Sequence, residues 1–253
     1  MSLGNKLLRL YFDLVYNPIY DLTTARLTAY RRWHSNCVGK LGFEDGDSIL
    51  CVGVGTGNEI PYILNTNRDL EIVGVDFSER ALRKAYQKGL RYNRKIKISR
   101  MDSQELRYPA ESFDKVLCLH VMDFVEDDKQ ATREIIRVLK EGGQFVITYP
   151  SNKEGMALGL SLIRDNIRHS SSPGKYLKTL QELLMLMTLG ILYIPVLLRA
   201  KKRAYSYAGL EAVFAQMKQT AFQIEEYPVY SDYIVYGKKE IQFNREESNA
   251  SRG

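Results

Sequence analysis

The sequence predicts an α/β domain built on a parallel sheet with helices on both faces, and three observations predict it. From Asp47 onward, short runs rich in Val, Ile and Phe alternate with helical stretches, the pattern of βαβ units. The first run, Ile49-Leu50-Cys51-Val52, passes into glycines at alternate positions, Gly53, Gly55 and Gly57. Acidic residues Asp76 and Asp102 close the second and third runs, at the strand ends where open α/β sheets bind ligands.

Taken in order, SILCVGV reads as the first strand and residues 58–67 as the helix behind it. LEIVGVDF is the second strand, and Glu79 to Tyr92 the second helix. KIKISRMD and FDKVLCLHV are the third and fourth strands. DDKQATREIIRVLK is a helix with Ile135, Ile136 and Val138 on its apolar side, and GQFVITYP is the fifth strand. Ahead of the sheet, residues 1–46 read as a helical cap carrying Tyr11, Tyr16, Tyr20 and Tyr30. Behind it, residues 151–203 break the alternation. YSYAGLEAVFAQMKQ then reads as a helix, and FQIEEYPVY and YIVYGKK as an antiparallel pair around Ser231-Asp232. The plan is thus a cap (1–46), an α/β core (47–150), an insertion (151–203), a C-terminal helix and hairpin (204–243) and a polar, disordered tail (244–253).

Composition narrows the function classes. With 253 residues, 45% hydrophobic and 26% charged, the chain is an ordinary globular one. Its net charge of +6 favours anionic surfaces only weakly. Cys37, Cys51 and Cys118 are too scattered for a disulfide framework or a zinc cluster, and the three histidines are equally dispersed, so no metal site is expected. The N-terminus lacks an apolar core followed by a small-residue cleavage site, so the expected location is the cytoplasm. The basic run from Arg80 to Arg100 reads as a solvated helix and loop. It lacks the aromatic platform that single-stranded nucleic acid requires, so no nucleic-acid partner is expected.

Glycines after a strand let the backbone turn tightly and approach a ligand with no Cβ in between. Here the pattern is GxGxG followed by Asn58, not dinucleotide spacing, which argues against a nicotinamide cofactor. Asp76 stands where a carboxylate accepts both hydroxyls of a ribose, and Asp102 where one meets an adenine amino group.

The series VGVGTG, VGVDFSE, MDSQELRYPAESFDKVLCLHVMDFV and LKEGGQFVITYP resembles the four signature segments of class I S-adenosylmethionine-dependent methyltransferases, over residues 47–150. VYNPIYD, residues Val15 to Asp21, is similar to the N-terminal tyrosine-aspartate element of the quinone-biosynthesis and phospholipid N-methyltransferase group. The resemblance implies a Rossmann-like sheet of seven strands, the terminal antiparallel pair included, and S-adenosylmethionine as cofactor. It implies that Gly53, Gly55 and Gly57 pass beside the methionine part, that Asp76 holds the ribose and that Phe77 lies against adenine. It further implies that Asp102 and Ser103 meet the amino edge, that Cys118 contributes backbone and that Tyr20 joins the cofactor site.

Family members usually carry Asp or Glu where this chain has Cys51; Glu59, Asp13 or Asp21 are the candidates to supply that charge. In the family strand order the first and fourth strands are neighbours, which brings Cys51 and Cys118 to one sheet edge as a candidate thiol pair. His120 and Asp123 follow the fourth strand and are the candidate catalytic residues, with a core histidine as the alternative for His120. Methyl transfer needs mainly alignment of nucleophile and methyl group, so a base is optional.

The insertion contains LLMLMTLGILYIPVLL, Leu183 to Leu198, sixteen residues without charge, followed at once by RAKKR. A spanning helix needs roughly twenty apolar residues, so this is short. Gly190 and Pro195 also weaken it as one straight helix. Three readings compete: a buried lid or core helix, a lid that lines a hydrophobic pocket and rests on a membrane with Arg199, Lys201, Lys202 and Arg203 toward headgroups, and a true span. NKLLRLYFDLVYNPIY near the N-terminus has interfacial character as well. The functional expectation is methyl transfer to a small lipophilic acceptor such as an isoprenoid quinone precursor, with peripheral membrane contact through residues 183–203. The alternatives are a phospholipid headgroup N-methyltransferase and a cofactor-binding protein without transfer activity.

Overall fold

The computed structural model describes residues 10–24, 26–122, 124–151, 164, 168, 174–197, 205–217, 220–227 and 232–241. Seven strands form one sheet in the order β3-β2-β1-β4-β5-β7-β6. They are β1 (Ser48–Val52), β2 (Glu71–Asp76), β3 (Lys97–Arg100), β4 (Phe113–Cys118), β5 (Leu139–Pro150), β6 (Thr220–Tyr227) and β7 (Asp232–Lys239). The first five run parallel, while β7 is antiparallel to both β5 and β6. The order turns back beside β1, so β1 and β4 emerge side by side at the switch point where such sheets bind ligands.

β1 after Ser48 and β4 from Val116 onward are apolar because helices cover both faces of the sheet there. Alternation along β1 sends Leu50 and Val52 into one layer with Cys118, Phe145 and Phe214. Ile49 and Cys51 go into the other with Trp33, Cys37 and Leu117. Each fully buried Leu, Ile or Phe in these layers contributes about 1.5–3 kcal/mol.

The helices are α1 (Asn17–Thr24, entered by a π-helical turn Phe12–Tyr16), α2 (Thr28–Gly39), α3 (Ile60–Leu64), α4 (Glu79–Arg91), α5 (Asp128–Val138), α6 (Lys175–Leu197) and α7 (Tyr207–Ala215). Their starts follow local chemistry. Ser78, Asp127 and Ser206 cap α4, α5 and α7 by accepting from Ala81, Gln130 and Gly209 backbone N–H groups. α2 has Leu27 at that position and no cap from its own sequence. Glu182 of α6 supplies one, accepting from Thr28 N at 3.3 Å and Thr28 Oγ1 at 2.8 Å.

Several boundaries differ from the sequence reading. The helix expected over residues 58–67 is the single turn of α3, which Pro61 opens and which gives way to Asn67 at φ +56°. The fourth strand stops at Cys118 rather than Val121, because His120 adopts φ +55°, outside the extended region. In the insertion, α6 continues through Gly190 and Pro195 as one helix of 23 residues. Residues 198–204, with Arg199, Lys201, Lys202 and Arg203, residues 228–231 and the residues from 242 lie outside the described residues. Among the described residues no helix is long and apolar enough to cross a membrane.

Candidate active site

Where β1 ends, Gly53, Gly55 and Gly57 all take left-handed backbone, at φ +64°, +51° and +77°. Their surroundings separate their roles. A Cβ at Gly53 would stand 2.2 Å from Val121 Cγ2, and one at Gly57 would stand 2.5 Å from Ile60 Cδ1 and 3.0 Å from Ala85. At Gly55 the nearest atom is the Gly53 carbonyl oxygen, 3.9 Å away. Gly53 and Gly57 are therefore required by packing, while Gly55 presents bare backbone to open space.

Asp76 ends β2 and holds this loop in shape. Its Oδ2 accepts from Gly55 N at 2.9 Å and its Oδ1 from Ser78 N at 2.8 Å. Phe77 follows with its ring 55% exposed, unusual for a large apolar side chain beside a packed strand. Beyond β3, Asp102 is exposed and accepts from Gln104 N at 2.9 Å, and Ser103 beside it is half-buried. Three neighbouring strand ends thus offer open backbone, a carboxylate, an exposed ring and a second carboxylate, a donor set that fits an adenosyl cofactor with a methionine part.

The N-terminal cap is tied onto the same loop. Asp21 of α1 accepts from the Thr56 hydroxyl and pairs with Lys84 and Lys88, each at 3.7 Å. Lys88 donates to Asn58 Oδ1, Asn58 donates to Tyr30 OH at 3.3 Å, and Tyr30 and Tyr20 hydroxyls share a 2.8 Å hydrogen bond. Burial raises the Tyr20 phenol well above its usual range, so it stays a neutral hydroxyl.

Of the three acids considered in place of Cys51, Asp21 is thus engaged by two lysines and Thr56, and the side chain of Asp13 lies outside the described residues. Glu59, two residues past Gly57, is buried, and burial raises its carboxyl to about 7, against a backbone hydrogen bond and Lys88 and with Asp76 adding to the rise. Its charge is close enough to push up the Cys51 and Cys118 thiols, which burial raises first.

The candidate thiol pair does not form. Cys51 stands opposite Leu117 and Cys118 opposite Val52, so the register is one residue off and the side chains enter opposite layers of the core. Both are buried. Neither has the exposure or lowered pKa of a reactive thiol.

His120 lies just past β4, and its Nδ1 is 3.3 Å from Asp232 Oδ2 at the start of β7. Its ring stacks on Trp33 with centroids 4.2 Å apart and planes 21° apart, and its backbone N–H donates to Thr148 Oγ1 at 2.8 Å. Asp123, the other candidate catalytic residue, lies outside the described residues. Sequence reasoning passed over Asp232, taken as part of a turn, and Trp33. The one signal available for Trp33 was its being the chain's single tryptophan.

Comparison with known proteins agrees with this geometry. The family described as a methyltransferase domain matches residues 50–147. The chain is similar to the ubiquinone/menaquinone biosynthesis C-methyltransferase of Geobacter sulfurreducens, at 32% identity over 150 residues, 57% of each protein. It is also similar to the phosphatidylethanolamine N-methyltransferase of Cereibacter sphaeroides, at 35% identity over 106 residues, covering 40% of this chain and 50% of the relative. The chain therefore spans about half the length of the curated relatives it matches. Among solved structures, magnesium protoporphyrin IX methyltransferase from Synechocystis PCC 6803 with bound SAH superposes with a TM-score of 0.61 at 14% identity, covering 93% of this chain and 100% of that one, a likeness of fold. The glycine loop, the acids at successive strand ends and the seven-strand order carry one conclusion: residues 50–147 match a methyltransferase domain, and the sheet that holds them has the fold of S-adenosylmethionine-dependent methyltransferases.

Proposed function

We propose that the protein transfers a methyl group from S-adenosylmethionine to a small lipophilic or membrane-associated acceptor, such as an isoprenoid quinone precursor. The observation that carries the acceptor class is α6. One side of this helix packs Met185, Leu186 and Leu189 on Ile19, Tyr20, Leu27 and Tyr30, the cap over the glycine loop. The other side exposes Leu177, Leu180, Leu184, Met187, Ile191 and Ile194, spaced three and four residues apart. A helix apolar on both sides fits a lid between a hydrophobic acceptor and a lipid surface. The basic sequence Arg199-Ala200-Lys201-Lys202-Arg203 that follows favours an anionic surface.

The cofactor, when bound, supplies an electrophilic methyl group on a sulfonium. In this reading the Gly55 backbone lies along its methionine part, Asp76 accepts from the ribose, Phe77 covers the adenine, and Asp102 with Ser103 meets the amino edge. Cys118 contributes backbone only, because its thiol is turned into the core. Tyr20 closes the site from the cap, and Glu59 replaces the missing acid at Cys51 as partner of the cofactor's ammonium.

A second reading, a phospholipid headgroup N-methyltransferase, draws support from the Cereibacter relative. Incubation with methyl-labelled S-adenosylmethionine and a total extract of the source cells, followed by phase partition, tests both. Label in a neutral organic-phase product supports the first reading, and label in a phospholipid headgroup the second. Protein-dependent label confined to the aqueous phase refutes a lipophilic acceptor.

A further inference from the structure

We infer that Asp21 is a latch that fastens the α1 cap to the cofactor loop, so that its release sets the rate of cofactor exchange. This rests on the methyltransferase reading and deepens it by naming a residue that governs exchange at the same site. Asp21 acts through Thr56 and is a positioning residue.

The seam it closes is polar. Among the described residues, the apolar side of the cap is a small cluster of its own, in which Leu27, Tyr30 and Leu189 pack with Ile19, Tyr20, Met185 and Leu186. It is distinct from the two large layers that cover the sheet. Toward the cofactor loop and α4, α1 presents Asp21. Its Oδ1 accepts from the Thr56 hydroxyl and lies 3.7 Å from Lys88 Nζ, and its Oδ2 lies 3.7 Å from Lys84 Nζ. One carboxylate thus joins three elements. When such a seam opens, its groups exchange these partners for water, at less cost than exposing an apolar core.

Thr56 is the point at which the latch reaches the ligand. It stands between Gly55, whose backbone faces open space, and Gly57, which packing requires. All three glycines of the loop take left-handed backbone, and glycine leaves many other shapes open. Two carboxylates select the one observed. Asp76 Oδ2 accepts from Gly55 N at 2.9 Å on the sheet side, and Asp21 accepts from Thr56 on the cap side.

The side chains of Asp21 and Lys88 are only 20% and 21% exposed, so water and salt screen their attraction in part. Burial lowers the Lys88 ammonium, and Asp21 leads the groups that oppose that fall. Lys88 also donates to Asn58, which donates to Tyr30 OH at 3.3 Å, and Tyr30 shares a 2.8 Å hydrogen bond with Tyr20 of α1. Release of Asp21 therefore frees Lys88 as well, and the second, indirect hold of α1 on the loop slackens with the first.

Stopped-flow binding of S-adenosylhomocysteine to the full chain, with hydrogen exchange read at the α1 amides, tests the latch. Asp21→Ala removes all three contacts. It is expected to speed association and dissociation alike by about tenfold, leaving Kd within about threefold. Both wild-type rates are expected to rise with added salt and those of the variant to stay flat. Thr56→Val leaves both lysine pairs in place and is expected to speed exchange to a smaller extent, with the double variant no faster than Asp21→Ala. Without ligand, Asp21→Ala is expected to lose protection over residues 17–24 while β1 and β4 keep theirs. Unchanged rates in both variants, faster dissociation with slower association, or unaltered protection of α1 overturns the proposal. If the wild type binds no S-adenosylhomocysteine, the methyltransferase reading fails on its own, and the hydrogen-exchange arm still decides whether Asp21 fastens the cap.

Discussion

Alanine at Gly55 and at Gly57 should rank oppositely in stability and in cofactor binding, although both glycines have positive φ. At either position a Cβ in left-handed backbone costs about 1–2 kcal/mol. At Gly57 the new methyl also meets Ile60 Cδ1 at 2.5 Å and Ala85 at 3.0 Å, on the helices that back the loop. Overpacking of that kind adds about 1–3 kcal/mol, for a total of roughly 2–5 kcal/mol. At Gly55 no atom other than the Gly53 oxygen lies within 4 Å, so only the backbone cost applies. For a chain of this size each kcal/mol lowers Tm by about 2–4 °C. Gly57→Ala should therefore melt roughly 5–15 °C below wild type and Gly55→Ala only a few degrees below it. Calorimetric titration with S-adenosylhomocysteine should show the reverse ranking, with Gly55→Ala losing about tenfold or more in affinity, equivalent to some 1.4 kcal/mol, because its methyl enters the ligand's space. Equal melting of the two variants, or wild-type affinity in Gly55→Ala, would refute the assignment of Gly57 to packing and Gly55 to the ligand.

Asp76→Ala removes the acceptor for two loop N–H groups as well as the ribose partner, so S-adenosylhomocysteine affinity should fall by about 10²-fold or more while the circular dichroism spectrum persists; unchanged affinity removes the assignment. Glu59 has its folded pKa raised from 4.5 to about 7, so its favourable state is fully present below pH 4.5 and stability is lost as pH rises from there to about 7. Glu59→Gln should accordingly match wild type in urea unfolding at pH 4 and exceed it by up to about 3 kcal/mol at pH 8, while binding the cofactor more weakly; equal stability at both pH values would show that the carboxyl is not strained by burial. Glu182→Ala removes the cap of α2 and should destabilise the protein by about 1–3 kcal/mol and speed proteolysis within residues 175–197; unaltered digestion would mean that α6 is held by its apolar contacts alone. Leu184→Glu with Ile191→Glu should abolish sedimentation with anionic vesicles at unchanged Tm, and retained sedimentation would remove α6 from the membrane contact.

The parts of this protein that were legible in its sequence are those set by short-range rules. Strand alternation gave the order of elements, and the glycines, Asp76 with Phe77, and Asp102 are separately readable because each group lies at or just past the end of a different strand. What escaped depended on register and on contacts distant in the chain. Whether Cys51 and Cys118 face each other turns on a pairing offset of one residue, which no local pattern encodes. Asp232 meets His120 only because β7 inserts antiparallel beside β5, 112 positions further along the chain. Among the three candidate acids, that Lys84, Lys88 and Thr56 already engage Asp21 is likewise a set of contacts between distant parts of the chain.

The same contacts bear on how the two halves of the reaction are coordinated. α2 is short of its own cap and receives it from α6, yet it carries Tyr30 toward the glycine loop and Trp33 beneath His120. A displacement of α6 therefore acts on the first half of α2. It loosens the Tyr30 link to Asn58 beside the cofactor loop, and it shifts the ring on which His120 rests. Coupling of this kind needs no flexible hinge, because a helix transmits a shift at its first turn to side chains two turns on. An acceptor arriving along α6 would thus bias the cofactor loop and the histidine together, whereas one reaching His120 from the β7 side would move neither Thr28 nor Asn58.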